Sequence, residues 1–111
     1  MDERLTEVNF TKHLNSVFRV KVDAPRPVEL KLVEVKGYAN GANEQSGMER
    51  FSLFFKGPSD LHLPQSTYGL EHEHLGSLDI FLVTVARDDQ SFTYEAVFNY
   101  FKESSLRNEE Q

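Results

Sequence analysis

Apolar residues recur along this chain in short alternating runs, and only its opening departs from that rhythm. Leu5, Val8, Phe10 and Leu14 fall at mixed spacings that suit a short amphipathic helix over residues 6–14 better than a strand. Asn15 follows, a residue able to take the left-handed conformation that ends a helix. Strict alternation then begins. Phe18, Val20 and Val22 share one face against Arg19, Lys21 and Asp23, which predicts a first strand. Pro25 and Pro27 cannot donate to a ladder, so a turn separates this strand from the next.

The second strand starts with Val28, Leu30 and Leu32 inward, but beyond Leu32-Val33 the phase inverts and Val35 becomes the inward residue. A one-residue slip in a period-two pattern predicts a β-bulge near Leu32-Val33. Residues 37–47 are small and polar and read as a surface loop. Phe51, Leu53 and Phe55 form the inward face of a third strand that stops at Lys56-Gly57-Pro58, with Phe54 the odd aromatic on the opposite face. Tyr68, Leu70, His72 and His74 alternate on a shorter fourth strand. Residues 78–86 are apolar on both faces, which predicts a central strand whose second face the amino-terminal helix covers. A loop at residues 87–91 leads to a returning strand carrying Phe92, Tyr94, Ala96 and Phe98. The expected fold is mainly β: an antiparallel meander of about six strands rolled into a small barrel or tight sandwich, with one short N-terminal helix. Residues 1–101 read as a single domain and residues 102–111 as a frayed polar tail.

Composition narrows the function classes. The chain of 111 residues carries 12 Lys and Arg against 18 Asp and Glu, a formal charge of -6, with no basic cluster. That balance opposes phosphate attraction and argues against nucleic-acid partners. There is no cysteine, hence no disulfide, thiolate metal site or cysteine nucleophile. No window approaches the roughly 18 apolar residues of a membrane span, and Met1-Asp2-Glu3-Arg4 lacks a signal-peptide pattern. The expectation is a soluble cytoplasmic protein without a membrane partner.

Four phrases then stand together in order: Phe51-Ser52-Leu53-Phe54-Phe55-Lys56-Gly57-Pro58, Leu63-Pro64-Gln65-Ser66-Thr67-Tyr68-Gly69-Leu70-Glu71-His72, Leu75-Gly76-Ser77-Leu78-Asp79-Ile80-Phe81-Leu82-Val83 and Tyr94-Glu95-Ala96-Val97-Phe98-Asn99. Over most of residues 5–99 the chain resembles a family of roughly hundred-residue bacterial proteins classed as a domain of unknown function. It departs from the family pattern at Ser66, where Gly is expected, at Thr84, where Pro is expected, and in its extension beyond Asn99. The resemblance implies relatives without implying an activity. It adds only an association with phage-tail-like gene neighbourhoods.

The sharpest candidate chemistry is Glu71-His72-Glu73-His74, with His62 nearby in sequence. Histidines at i and i+2 on a strand face the same way and can converge on a metal, so His62, His72 and His74 are the candidate ligands. The alternative is that His72 packs against apolar neighbours and bonds a loop backbone group, while His74 and the glutamates are solvated. His13 would sit at the helix C-terminus, where a protonated ring meets the helix dipole favourably. Ser59, Asp60 and His62 lie close together but without a nucleophile elbow, and turn chemistry accounts for them. The six glycines are dispersed, so no phosphate loop is present. No catalytic residue and no cofactor is implied.

What remains is surface. Phe54, Tyr38, Tyr100 and Phe101 are aromatics that alternation does not assign to a core, and an exposed strand edge invites a further chain. The favoured reading is a non-enzymatic protein-interaction or structural module of a larger assembly. Its interface candidates are Phe54, Tyr100 and Phe101, and its partner is another protein or a second copy. The alternative is a small ligand- or metal-binding barrel using His62, His72 and His74.

Overall fold

The computed structural model describes residues 4–38 and 48–101, with the side chains of Met48 and Phe101 excepted. The predicted loop at residues 37–47 beyond Tyr38, and the predicted tail at residues 102–111, lie outside the described residues. Thr6 caps the helix α1 (Glu7–Lys12) by accepting a hydrogen bond from the Asn9 amide at 3.1 Å. After the C-cap His13, Asn15 takes a positive φ of 70° and turns the chain directly into β1 (Val17–Val20), as its side-chain type predicts.

Five further strands follow: β2 (Val28–Gly37), β3 (Met48–Pro58), β4 (Ser66–His72), β5 (Gly76–Arg87) and β6 (Ser91–Phe101). They close into a barrel in the order β1-β2-β3-β6-β5-β4, antiparallel at every pairing. The chain thus makes two three-stranded meanders rather than one. β3 pairs with β6 along its whole length, Met48 opposite Phe101 through Pro58 opposite Ser91, and Arg19-Val20 of β1 closes the ring on Leu70-Glu71 of β4. Closure removes the exposed edge at which a further strand was expected to add.

Two bulges help the sheet curve. The first lies between Leu32 and Glu34 on β2, where the phase inversion predicts it. Leu32 there also accepts from the Asn15 amide and donates to the Ser16 carbonyl, so the irregular backbone is tied to the chain leaving the helix. The second lies between Thr84 and Ala86 on β5. Thr84, one of the two departures from the family pattern inside the domain, accepts or donates at His62 Nε2 (2.8 Å) beside that bulge.

Inward residues from all six strands fill the barrel: Phe18, Val20, Val28, Leu30, Leu32, Phe51, Leu53, Phe55, Leu70, Leu78, Ile80, Leu82, Tyr94 and Ala96 are buried. The two ends need separate plugs. At one end α1 inserts Phe10, whose ring centroid lies 6.5, 6.0 and 5.7 Å from those of Phe18, Phe51 and Phe98. At the other, residues 59–65 cross from β3 to β4 and bury Leu63, whose amide donates to the buried Tyr94 hydroxyl at 3.0 Å. The helix therefore does not cover the outer face of β5, as the apolar run at residues 78–86 suggested. At six residues α1 is about 9 Å long, too short to shield a strand face, and Phe81 and Val85 remain 49% and 46% exposed. Among the described residues no helix is long and apolar enough to cross a membrane.

Removing the plug has a predictable cost. Phe10→Ala leaves a cavity among three aromatic rings and is expected to cost about 3–5 kcal/mol in urea unfolding. Val8→Ala, at a position 64% exposed on the same helix, should change stability by less than about 0.5 kcal/mol. A Phe10→Ala cost as small as the Val8→Ala cost would show that the helix does not hold the barrel end shut.

Candidate functional site

The most organised polar cluster sits at the helix-capped end. β4 ends at His72, the chain turns through Glu73, His74 and Leu75, and Gly76 with φ 75° starts β5. The His72 ring is only 6% exposed and packs 4.4 Å from Phe18 and 4.7 Å from His13, centroid to centroid. Its Nδ1 accepts from the amides of His74 (3.0 Å) and Leu75 (3.1 Å), an arrangement that requires Nδ1 to carry no proton. The proton of the neutral ring therefore resides on Nε2, which donates to Ser16 Oγ at 2.8 Å, and Ser16 Oγ in turn donates to the His13 carbonyl. One imidazole thus ties the β4–β5 turn to the end of α1. Burial, then the nearby rings of His13 and His74 when charged, hold its pKa below the usual histidine value, with Glu73 opposing.

This arrangement fits the packing alternative for His72, because both ring nitrogens are already engaged. His74 lies in the exposed turn, 3.8 Å from Glu73, and stacks on His13 at 5.6 Å. His62 is elsewhere. Its Nε2 meets Thr84 Oγ1, and its ring packs 4.9 Å from Phe92 at the opposite barrel end. Thr84 and the His72 partner Gly76 are eight residues apart on β5, a separation of about 26 Å along a strand. The structure therefore does not bring His62, His72 and His74 together. Among the described residues no group of three or more His, Asp or Glu is placed to hold a metal ion.

A shallow recess of about 280 Å³ lies beside the cluster, lined by Val17, Arg19, Glu29, Glu71, His72 and Glu73. Arg19 bonds Glu71 across it at 3.0 Å, both side chains exposed. Such a pair contributes little and leaves the recess a solvated, acid-rich surface. Asp60 is held by Arg26, whose guanidinium bond keeps the carboxyl below its usual pKa, while His62 bonds Thr84. Asp60 and His62 are thus each engaged by a side chain from a distant segment and not by each other.

The aromatic candidates divide. Phe54 is half-buried on the outer face of β3, flanked by Glu34 and Glu95 in register. Glu95 accepts from Ser52 Oγ at 2.7 Å and Ser52 accepts from the Tyr38 hydroxyl at 3.1 Å, which buries Ser52 on a face that is otherwise outward. Tyr100 is committed to the amino-terminal segment: its hydroxyl donates to the Leu5 carbonyl at 2.6 Å and its ring stands edge-on to Phe51. Phe101 pairs through its backbone with Met48, and its side chain lies outside the described residues. Sequence reasoning missed the outer-face residues Phe81, Val85 and Val97, the last 65% exposed. The both-faces-apolar run at residues 78–86 was the signal for Phe81 and Val85, read there as a covered strand; Val97 lies outside it, on β6.

Over residues 5–98 the chain matches the family described as a domain of unknown function (DUF6916), and it belongs to that family. No curated protein and no solved structure gives a match.

Two predictions follow from these contacts. Ser16→Ala removes the acceptor of the His72 Nε2 proton and should cost about 1–3 kcal/mol in chemical denaturation; a neutral effect would show that water replaces the hydroxyl. Burial, with the Glu49 carboxylate beside it, pushes the Tyr100 phenol up to about 12 from 10.0. The unfolded chain releases that proton first, so its contribution is intact below about pH 10 and lost as pH rises towards 12. Tyr100→Phe should lack this part of the alkaline loss seen in pH-dependent urea midpoints.

Proposed function

We propose that this member of the DUF6916 family is a non-enzymatic protein-interaction module of a larger assembly, and that it docks through the outer face of β5 and β6. One observation carries the reading: Phe81, Val85 and Val97 are 49%, 46% and 65% exposed on the outer face of two paired strands. Val83 and Phe54 flank them, half-buried, on either side of Glu95 in the same register row. Single exposed apolar residues need no explanation, but a cluster on neighbouring strands marks a surface that another protein covers. The inward side chains fill the barrel, which favours a role for its outside over a ligand held within. A phage-tail-like particle is one assembly of the expected kind.

Phe54 stays in the interface as a flanking residue, whereas Tyr100 serves the barrel end. The reading predicts that Phe81→Ser combined with Val97→Ser lowers partner affinity about 30-fold or more. Monomer stability should change by only about 1 kcal/mol, because both side chains are largely exposed. Native mass spectrometry of the protein purified gently from its own host reads the association, and urea unfolding reads the fold. A wild-type chain that runs as a bare monomer, or a complex unaffected by the double substitution, would contradict the proposal.

A further inference from the structure

We propose that the His72–Ser16 contact is a proton-operated latch: protonation of His72 releases α1 from the barrel end and uncovers Phe18, Phe51 and Phe98. The inference stands apart from the docking face on β5 and β6 and uses none of its residues.

The geometry of one ring carries it. A neutral imidazole has one lone pair and one N–H, and here both are spent. The lone pair on Nδ1 accepts two backbone amides, and the Nε2 proton reaches Ser16. A second proton can only go to Nδ1, where it would face the amide hydrogens of His74 and Leu75 at close range. The charged ring must leave that position or displace the turn.

Either movement loosens α1 at both of its ends. At the C-terminal end Ser16 Oγ loses the donor that positions it against the His13 carbonyl. At the N-terminal end Arg4 Nη1 donates to the carbonyls of Leu75 (2.7 Å) and Ser77 (3.0 Å), and Leu75 belongs to the turn that Nδ1 organises. Other ties stay in place, among them Tyr100 to the Leu5 carbonyl, Glu7 N–H to Glu49, the backbone bonds of Asn15 and Ser16 with Leu32, and the apolar contact of Phe10. A helix of six residues has little stability of its own once such contacts weaken.

The charges facing His72 come from four elements and the β4–β5 turn. His13 approaches from the end of α1, and His74 and Glu73 from the turn. Arg19 of β1, paired with Glu71 of β4, and Glu29 of β2 line the adjacent recess. Phe18 supplies an apolar wall. Burial is the largest influence and disfavours the charged ring, the two neighbouring histidines add to it, and Glu73 opposes them. In the released state His72 titrates near the ordinary value of 6.5, and in the latched state below it. The released state therefore binds more protons between those values. The latch is fully closed above about pH 6.5 and weakens as pH falls, by up to about tenfold per pH unit for one proton.

Hydrogen–deuterium exchange on the whole chain tests this, corrected for intrinsic rates and compared at pH 7.5 and pH 5.0. Protection of residues 7–13 and 73–76 should fall severalfold relative to the β3–β6 ladder on acidification. His72→Asn keeps an acceptor near the Nδ1 position but does not titrate in this range, so the relative protection of α1 should become independent of pH. Unchanged wild-type protection, or a full pH response in His72→Asn, would overturn the proposal. Nitrogen-15 titration of the wild type gives an independent reading that needs no variant. A His72 resonance that starts as the Nε2–H tautomer and titrates together with the α1 amides supports the latch, and separate titrations sink it.

Discussion

Six strands closed into a ring leave two open ends, and the chain must fill both before the barrel is dry. Much else in the molecule answers to that requirement. Phe10, carried by a helix of less than two turns, fills one end against Phe18, Phe51 and Phe98. Leu63, carried by the crossing between β3 and β4 and pinned to Tyr94, is buried at the other. The polar contacts cluster where these plugs are tied down. Arg4, Glu7, Ser16 and Tyr100 all make hydrogen bonds that anchor the amino-terminal segment. The histidine cluster belongs to this anchoring, which is why its nitrogens face backbone amides and a hydroxyl instead of converging on an open site.

The local pattern was highly legible where one residue's environment depends on its strand alone. The alternation through Phe51, Leu53 and Phe55 marked the inward face, the phase slip marked the bulge at Leu32, and Asn15 marked the reversal after the helix. Strand order was not legible, because pairing β3 with β6 and β1 with β4 depends on contacts between residues 33 to 53 positions apart. A similar separation hid the Ser16–His72 contact. Periodicity placed His72 and His74 on one face, but β4 ends at His72 and the turn carries His74 out to solvent. Nothing in composition told that His62 would fall at the far end.

The misread run at residues 78–86 is the most informative. Apolar residues on both faces of a strand ordinarily signal cover on both sides, and in a closed barrel only the inner face has cover from the fold itself. The outer residues Phe81 and Val85 are left to solvent, joined by Val97 from the neighbouring strand. Closure thus transforms the interaction question: it removes the strand edge and leaves a face. On the proposed reading a partner would be held by side-chain burial in place of main-chain pairing, and such binding rests on a few aromatic and aliphatic anchors.

The seam between β1 and β4 decides between those two modes most directly, since it is the shortest pairing in the ring. Backbone nuclear Overhauser effects across it are the measurement of choice. The account predicts cross-strand contacts linking Arg19 with Glu71 and Val20 with Leu70, together with contacts from the Phe10 ring to Phe18, Phe51 and Phe98. A spectrum with the other five ladders intact and no contacts at that seam would mean an open sheet with a free edge, and would contradict the closed, plugged barrel on which the account rests.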